Sequence, residues 1–312
     1  MKAYAAGIDV GGTTVKMGLF KTDGTVVEKW EVRTVTDNGG ERILPDIAES
    51  LKKKLAEKKI GLDELEGVGI GVPGAVLADG TVNKCINLGW GVKPVGRELS
   101  GLLDGIRVEV GNDANVAALG EMWKGGGMGY KNIVMVTLGT GVGGGIIIDG
   151  RIIPGAFGAG GEIGHMCMNT EETESCNCGK KGCLEQYVSA TGISRMAGKA
   201  VKEYEGWSVL KQHEKNSAKA VFDAAKEGDE LALQIVDQFG RILGRALALI
   251  SGVVDPEAFV IGGGVSRAGQ IIIDAVQKYY KEYAFHASRS TDFRLATLEN
   301  DAGIYGAVAM VL

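Results

Sequence analysis

Apolar, β-branched runs separated by glycine-rich turns begin the chain. Residues 4–10 and 15–20 are two such runs, and the segment GGTT (residues 11–14) separates them. An Asp-Gly turn at 23–24 then leads into a strand-like pair, Val26 and Val27. Runs of this length, bounded by glycine, threonine and aspartate, are typical of strands joined by hairpins. We therefore predict a glycine-rich β-hairpin followed by a third strand.

The same pattern returns in the middle of the chain. Apolar residues 133–137 precede a glycine-rich segment at 138–145, and apolar residues 146–148 follow it. When Gly11 is aligned with Gly139, Asp9 falls opposite Thr137 and the two hairpins correspond strand for strand. We predict one supersecondary unit used twice. A coincidental likeness between two glycine-rich loops is the alternative.

Elsewhere the apolar positions follow the helical period. Residues 41–59 carry isoleucine or leucine at every fourth position from Ile43 to Leu55, which predicts an amphipathic helix. Further helices are predicted at residues 114–124, 184–204, 217–227, 230–253 and 267–283, and from Asn300 or Asp301 to residue 312. Further strands are predicted at residues 68–72, 108–110, 259–261 and 293–298. This order of elements predicts an α/β or α+β protein with two mixed sheets.

Charge and composition exclude several classes of protein. The chain has 34 basic and 39 acidic residues, and a net charge of −5 argues against general nucleic-acid binding, which needs clustered cations. Asp9 precedes any apolar segment that could serve as a signal peptide, and nowhere do about 18 uncharged apolar residues run together. We therefore expect a cytoplasmic protein without a membrane partner. Five cysteines, an odd number, do not indicate a disulfide framework.

The two glycine-rich hairpins are candidate phosphate sites. Fifty of the 312 residues are glycine, more than twice the usual share of about 7%. Glycine lets backbone N–H groups converge closely on phosphate oxygens. Asp9, just before the first turn, can hold a hydrated Mg²⁺. Additional donors would be Thr13, Lys16 and Thr140. The alternative is that the glycines merely shape the hairpins.

The segment Gly139-x-Gly141-x-x-Gly144 also matches the fingerprint of a dinucleotide-binding loop. That fingerprint requires a helix after its glycines. Residues 146–153 are instead a β-branched run that contains an Asp-Gly turn. A hairpin is predicted there, which argues against a nicotinamide-nucleotide oxidoreductase.

Polar residues in two other places are candidates for contacts with a substrate. Asn112 and Asp113 lie where a strand meets a helix, although either could simply cap that helix. Glu162 and His165 lie in a loop of small residues, where they are suited to hydrogen-bond hydroxyl groups.

Three of the five cysteines, Cys176, Cys178 and Cys183, fall within eight residues, and His165 lies eleven positions before the first of them. A Cys₃His set is typical of a closed, tetrahedral Zn²⁺ site with no open position for catalysis. Its expected task is to hold His165 and the loop with Glu185 in place. Three reduced thiols in a polar loop are the alternative.

Together these motifs resemble those of the ROK family, which comprises bacterial repressors and sugar kinases of the actin/hexokinase/Hsp70 ATPase superfamily. The matching segments are GIDVGGT at 7–13, GND at 111–113, LGTGVGGG at 138–145, GEIGH at 161–165 and CNCGKKGCLE at 176–185. The resemblance implies a two-lobed, ribonuclease-H-like (actin-like ATPase) α/β fold, with a mixed sheet in each lobe and a cleft between them. The small lobe would comprise residues 1–112 and 300–312, and the large lobe residues 113–299.

The resemblance also implies roles for individual residues. Asp113 would be the catalytic base, and the sugar would be held by Asn112, Asp113, Glu162, His165 and Glu185. ATP and its Mg²⁺ would be bound at two phosphate motifs and an adenosine motif that comprise Asp9, Gly11, Gly12, Thr13, Lys16, Gly139, Thr140, Gly141, Gly262, Gly263 and Gly264. His165 would give one ring nitrogen to zinc and the other to a sugar hydroxyl.

The expected reaction is transfer of the γ-phosphoryl group of ATP to the 6-hydroxyl of glucose, in a homodimer or homotetramer. Sugar choice would depend on residues 71–74 and 87–90, and the latter segment, NLGW, is more similar to the family's glucokinases than to its other kinases. Kinases for N-acetylmannosamine, fructose, allose or mannose, polyphosphate as the donor, and a non-catalytic sugar-sensing regulator are the alternatives. Only six residues precede Gly7, so we expect neither the repressors' helix-turn-helix nor a nucleic-acid partner.

Overall fold

Strands and helices alternate through the computed structural model, which describes residues 2–312. The strands are β1 (Tyr4–Val10), β2 (Thr14–Lys21), β3 (Val26–Arg33), β4 (Leu65–Val72), β5 (Val108–Asn112), β6 (Ile133–Leu138), β7 (Val142–Ile148), β8 (Arg151–Ile152), β9 (Ala258–Gly262) and β10 (Asp292–Leu295). The helices are α1 (Asp37–Gly40), α2 (Ile43–Lys58), α3 (Val95–Leu102), α4 (Asp113–Lys124), α5 (Glu185–Val188), α6 (Ala190–Glu203), α7 (Ala218–Lys226), α8 (Glu230–Val254), α9 (Gln270–Tyr283) and α10 (Ala302–Val311).

The two sheets share one strand order. The first sheet runs β3-β2-β1-β4-β5, and the second, taken from its opposite edge, runs β8-β7-β6-β9-β10. In the first sheet β4 is parallel to both β1 and β5. In the second sheet β9 is parallel to both β6 and β10 in the same way. Asp9 lies opposite Gly71 in the first sheet, and Thr137 lies opposite Gly262 in the second. The predicted repeat and the two mixed sheets of the α/β fold are therefore confirmed.

Local chemistry explains where the helices differ from the prediction. The helix predicted over residues 184–204 is broken at Ser189, whose backbone is extended and whose hydroxyl accepts a hydrogen bond from the N–H of Gly192, so that a new helix begins there. The helix predicted from residue 267 begins at Gln270, because Gly269 has a φ of 83° and ends a preceding 3₁₀ turn. Helix α3 was not predicted, and strand β10 is shorter than expected.

Contacts along the chain define two compact units. The first unit contains the chain up to Lys131, Gly145–Gly161 and Leu298–Leu312, and the second contains Asn132–Gly144 and Glu162–Thr297. The prediction from the sequence places α4 in the large lobe, residues 113–299. In the structure α4 belongs to the first unit, because it packs against α10 almost backbone to backbone: a Cβ on Gly306 would overlap the Val116 carbonyl. Two helix backbones that approach this closely need glycine at the point where the helices cross.

Each unit has its own buried core. In the first unit, helix α2 covers the sheet with Ile47 and Leu51, which are fully buried. In the second unit, Phe259, Tyr280 and Phe293 form a three-ring cluster with centroids 5.1–5.5 Å apart. Burying one such side chain contributes on the order of 2 kcal/mol. Between residues 2 and 312 no helix has both the length and the apolar character that crossing a membrane requires.

Candidate active site

Asp9 is held at the end of β1 in the first unit. Its register partner on β2 is Lys16, whose Nζ donates to the Asn300 carbonyl at 2.9 Å. Burial raises the pKa of Asp9 to about 6; Lys16 opposes this rise, and the negative charge of Asp113 adds to it. The two carboxylates that the sequence singled out are therefore close enough to interact within this unit.

The tip of the first hairpin is shaped by its own backbone and by one residue beyond β3. The Gly11 N–H donates to the Thr14 carbonyl at 3.0 Å. Thr34 donates its hydroxyl to the Gly11 carbonyl at 2.7 Å and its N–H to the Thr13 carbonyl at 2.9 Å. Gly12 and Thr13 are left exposed at the tip. Thr34 could not be predicted from the sequence, because nothing in the local pattern links it to the turn.

Asn112, and not Asp113, is the N-cap of α4. Its Oδ1 accepts hydrogen bonds from the N–H groups of Ala114 at 3.0 Å and Asn115 at 3.2 Å, and its Nδ2 donates to the Gly74 carbonyl at 3.0 Å. Asp113 is the first helical residue, is half-buried, and accepts from the Ala114 N–H at 2.8 Å. Asp113 shares the Ala114 N–H with Asn112, which binds the Asn115 N–H as well, so the cap of the helix does not depend on Asp113. The helix N-terminus stabilises a negative charge at that position.

In the second unit, Glu185 joins the cysteine-rich loop to the second hairpin. Its Oε2 accepts from the Val142 N–H at 3.0 Å, and a Cβ on Gly141 would overlap that oxygen. Glycine at 141 therefore lets the carboxylate reach the hairpin backbone. The first turn of α6 supports the same hairpin, because the Ala190 N–H donates to the Gly139 carbonyl at 2.8 Å and the Thr191 hydroxyl donates to the Thr140 carbonyl at 3.1 Å.

Three glycines of the predicted nucleotide motifs are not explained by the packing of the protein itself. At Gly12, Gly139 and Gly264 an added Cβ would have no neighbour within 4 Å, and none of the three has a left-handed φ. Glycine at such positions is typical of loops whose backbone a ligand approaches closely. By contrast, Gly263 has a φ of 83° and its Cβ would lie 2.6 Å from the Leu138 carbonyl oxygen, so glycine is needed there for the fold. Gly262 ends β9 opposite Thr137.

His165, Cys176, Cys178 and Cys183 form one cluster in the second unit. Their ligand atoms all lie within 4.8 Å of one another, and the cysteines are free thiols. The Sγ atoms of Cys178 and Cys183 are 3.6 Å apart, and Cys176 Sγ is 3.8 Å from His165 Nδ1. A tetrahedral ion with bonds of about 2.3 Å to sulfur would place neighbouring ligands roughly 3.8 Å apart. The donor set and its spacing therefore fit a metal ion bound through Nδ1 of His165.

The other ring nitrogen of His165 is directed to Glu162. Nε2 lies 3.9 Å from Glu162 Oε2, and the Glu162 side chain is exposed. Within the second unit the structure thus brings together Glu162, His165 and the cysteine cluster, with Glu185 at 3.5 Å from Cys176 Sγ. Asn112 and Asp113 belong to the first unit together with Asp9.

Comparison with known proteins agrees with these motifs. Residues 5–312 match the ROK family. A protein named Glucokinase from Halalkalibacterium halodurans is 44% identical over 308 residues, which cover 97% of this chain and 93% of the relative. A Glucokinase from Thermotoga maritima is 39% identical, with 99% and 98% covered. The crystal structure of a ROK family glucokinase from Streptomyces griseus in complex with glucose and AMPPNP is 30% identical, with a TM-score of 0.74 and 98% of both chains covered. The chain belongs to the ROK family.

Proposed function

We propose that the protein is an ATP-dependent hexose kinase that transfers the γ-phosphoryl group to the 6-hydroxyl of glucose. The observation that carries the proposal is the position of Asp113, a carboxylate on the first turn of α4 that is not needed as the cap and whose charge acts on Asp9. Two relatives named Glucokinase, similar over nearly the whole chain, support glucose as the acceptor.

Asp113 would accept the proton of the sugar hydroxyl as that oxygen attacks phosphorus. Phosphoryl transfer leaves the protein mainly to position the reactants and stabilise charge, so one oriented base is sufficient. Asn112, Glu162, His165 and Glu185 would hold the sugar by its other hydroxyls. His165 is suited to this role because the Nδ1 that faces the cysteines fixes the ring and leaves Nε2 on the side of Glu162.

The nucleotide would lie on the three glycine motifs. N–H groups of the two hairpins, with Thr13, Lys16 and Thr140, would neutralise phosphate charge, and residues 262–264 would accommodate the adenosine. Asp9 would orient the Mg²⁺ that accompanies ATP, an ion that supplies charge neutralisation on the phosphates. The complex of the Streptomyces griseus relative with glucose and AMPPNP supports this pair of substrates.

The cysteine cluster would hold a structural Zn²⁺. Four protein ligands close the coordination sphere, so the ion would fix His165 and the start of α5 and would not bind substrate. We also propose that the active form is a homodimer or homotetramer.

A coupled assay with ATP·Mg²⁺ over a panel of sugars tests the proposal. We expect kcat/KM for glucose to exceed that for N-acetylmannosamine, fructose, allose and mannose by about tenfold or more. Equal or better turnover of another sugar would replace glucose as the proposed acceptor, and the proposed kinase activity would stand. Turnover with polyphosphate and none with ATP would replace the donor. Sugar binding without turnover under any condition would favour a sugar-sensing regulator.

A further inference from the structure

The cysteine-rich loop is tied to the rest of its unit by contacts that involve no cysteine side chain. Arg195, on α6, donates from Nη2 to Glu172 Oε2 at 2.9 Å and from Nη1 to Glu174 Oε2 at 2.8 Å. Both glutamates belong to the part of the loop just before Cys176. One guanidinium thus holds two carboxylates of the loop at once, in the forked geometry that arginine provides and lysine does not.

Glu172 is the buried end of this arrangement. Its side chain is 8% exposed, against 51% for Glu174. It also accepts hydrogen bonds from the Tyr187 hydroxyl at 2.8 Å and from the N–H groups of Thr173 at 3.0 Å and Glu174 at 3.1 Å. Removal of the cationic partner of such a carboxylate is unfavourable, because it leaves a largely desolvated charge without its counter-charge.

The same arginine also reaches the turn that carries Glu185. Its Nη2 donates to the Gln186 carbonyl at 3.1 Å. The Gln186 side chain then joins both sides of the loop: Nε2 donates to the Glu174 carbonyl at 3.0 Å, and Oε1 accepts from the Cys183 N–H at 3.0 Å. One connected network therefore runs from α6 through the loop to a cluster cysteine and to the neighbour of Glu185.

We propose that Arg195 is a positioning residue that, with Glu172, preorganises the cysteine cluster for its metal and keeps Glu185 in place for the sugar. The ring of Tyr187 supports the guanidinium from one side, with Arg195 Cζ 5.4 Å from the ring centroid. Outer contacts of this kind lower the cost of ordering the ligands when metal binds, and they slow its loss. The part of this proposal that concerns the sugar rests on the proposed function, and the part that concerns the metal does not.

Lys199 provides a matched control on the same helix. Its Nζ donates to Glu174 Oε1 at 3.0 Å, but its side chain is 60% exposed, and within residues 2–312 it forms no hydrogen bond or ion pair with Glu172 or Gln186. An exposed ion pair of this kind contributes little, because water and salt screen it. Replacement of either residue by methionine removes one positive charge from α6, so a difference between the two variants reports the network and not the charge.

The test uses Zn²⁺-loaded full-length protein and measures Zn²⁺ release to a chromogenic chelator. We expect Arg195→Met to release Zn²⁺ about 10–100-fold faster than the unmodified protein, and Lys199→Met to stay within roughly twofold. Arg195→Lys, which keeps the charge but holds one carboxylate at most, should fall between them and serves as the comparison if Arg195→Met does not fold. Release at the unmodified rate from a folded Arg195 variant would overturn the proposal.

Kinetics on the same variants test the part that concerns Glu185. For Arg195→Met we expect the KM for the sugar to rise about tenfold, with kcat changed much less, since Glu185 would bind the substrate and not act on the reacting atoms. Faster Zn²⁺ release with an unchanged sugar KM would remove Glu185 from the proposal. If the unmodified protein phosphorylates no sugar, the proposed function fails, while the Zn²⁺ measurement still decides the role of Arg195.

Discussion

The carboxyl group of Asp9 packs directly on the Cα of Gly303. A Cβ built on that glycine would lie 2.5 Å from Asp9 Cγ and 2.7 Å from its Oδ2. The second residue of α10 therefore limits the space available to the Asp9 side chain, although almost the whole chain separates the two residues in sequence. Any side chain at 303 must displace the carboxylate.

Gly303→Ala should therefore act on catalysis through Asp9. A shift of about 1 Å in a positioned group can cost on the order of 100-fold in kcat/KM, and overpacking costs about 1–3 kcal/mol of stability. Steady-state kinetics and thermal unfolding measure the two effects. Gly198→Ala is the matched control, because Gly198 is an exposed position on α6 with no neighbour within 4 Å of an added Cβ. There alanine should stabilise by up to about 1 kcal/mol and leave kinetics unchanged. Equal kinetics for both variants would contradict the link between Gly303 and Asp9.

Asp113→Asn should greatly reduce turnover and retain sugar binding. Loss of a general base costs about 10²–10⁴-fold in kcat, whereas the amide keeps the size and one acceptor of the carboxylate. Calorimetric titration with glucose and the coupled assay separate the two outcomes. Asp63→Asn, on an exposed turn before β4, controls for the change of charge. A variant at 113 that phosphorylates glucose at a near-normal rate would show that another group is the base.

Two alanine substitutions in the second hairpin should act on different substrates. The protein leaves open space at Gly139, so Gly139→Ala should keep its unfolding temperature and raise the KM for ATP about tenfold, equivalent to about 1.4 kcal/mol. Gly141→Ala should instead displace Glu185 and raise the KM for the sugar. If both variants weakened only ATP binding, Glu185 would not be a sugar ligand.

The pH dependence of stability should report the buried carboxylate Glu172. The Tyr187 hydroxyl, the Glu174 N–H and Arg195 together lower its pKa from 4.5 to about 2. A lowered pKa in the folded state means that the stabilisation is fully present above pH 4.5 and is lost as pH falls towards 2. Urea unfolding measures this with both proteins free of metal. The free energy of unfolding of the unmodified protein should exceed that of Glu172→Gln by about 1–3 kcal/mol at pH 7, and this difference should shrink below pH 4.5. A difference that stayed constant down to pH 3 would exclude an ionised Glu172 as its source.

Metal analysis should distinguish the cysteines of the cluster from the others. Purified protein should contain one Zn²⁺ per chain, and Cys178→Ser should lose it and unfold at a lower temperature. Cys167→Ser changes another exposed cysteine that lies outside the cluster and should keep the ion. Equal Zn²⁺ content in the two variants would contradict the ligand set.

The parts of the fold that rest on local patterns could be predicted from the sequence. The glycine-rich turns with flanking β-branched runs predicted the two hairpins and one unit used twice, and the strand order that the two sheets share agrees with this repeat. The cysteine spacing gave a cluster that the structure brings together. At residue 189 a serine ends one short helix and caps the next, and a period-based prediction does not register one extended residue within a long apolar pattern.

Contacts between segments distant in the chain could not be predicted from the sequence. Gly303 looks like an ordinary small residue in a terminal helix, and only its approach to Asp9 shows why glycine is needed. Arg195 likewise reads as a solvent-facing charge on α6, since its partners belong to a loop without regular structure. An isolated glycine in a helical pattern is a weak signal of close packing. That signal would have indicated Gly303 as a site of close packing, but not Asp9 as the residue that packs there.

The position of α10 has a consequence for synthesis. This helix packs on β1, β4 and α4, yet a ribosome makes it only after all of the second unit. One face of the first unit's sheet therefore stays uncovered until the ten residues of α10 have been added. Chaperone demand during translation should thus fall mainly on the half of the molecule that emerges first.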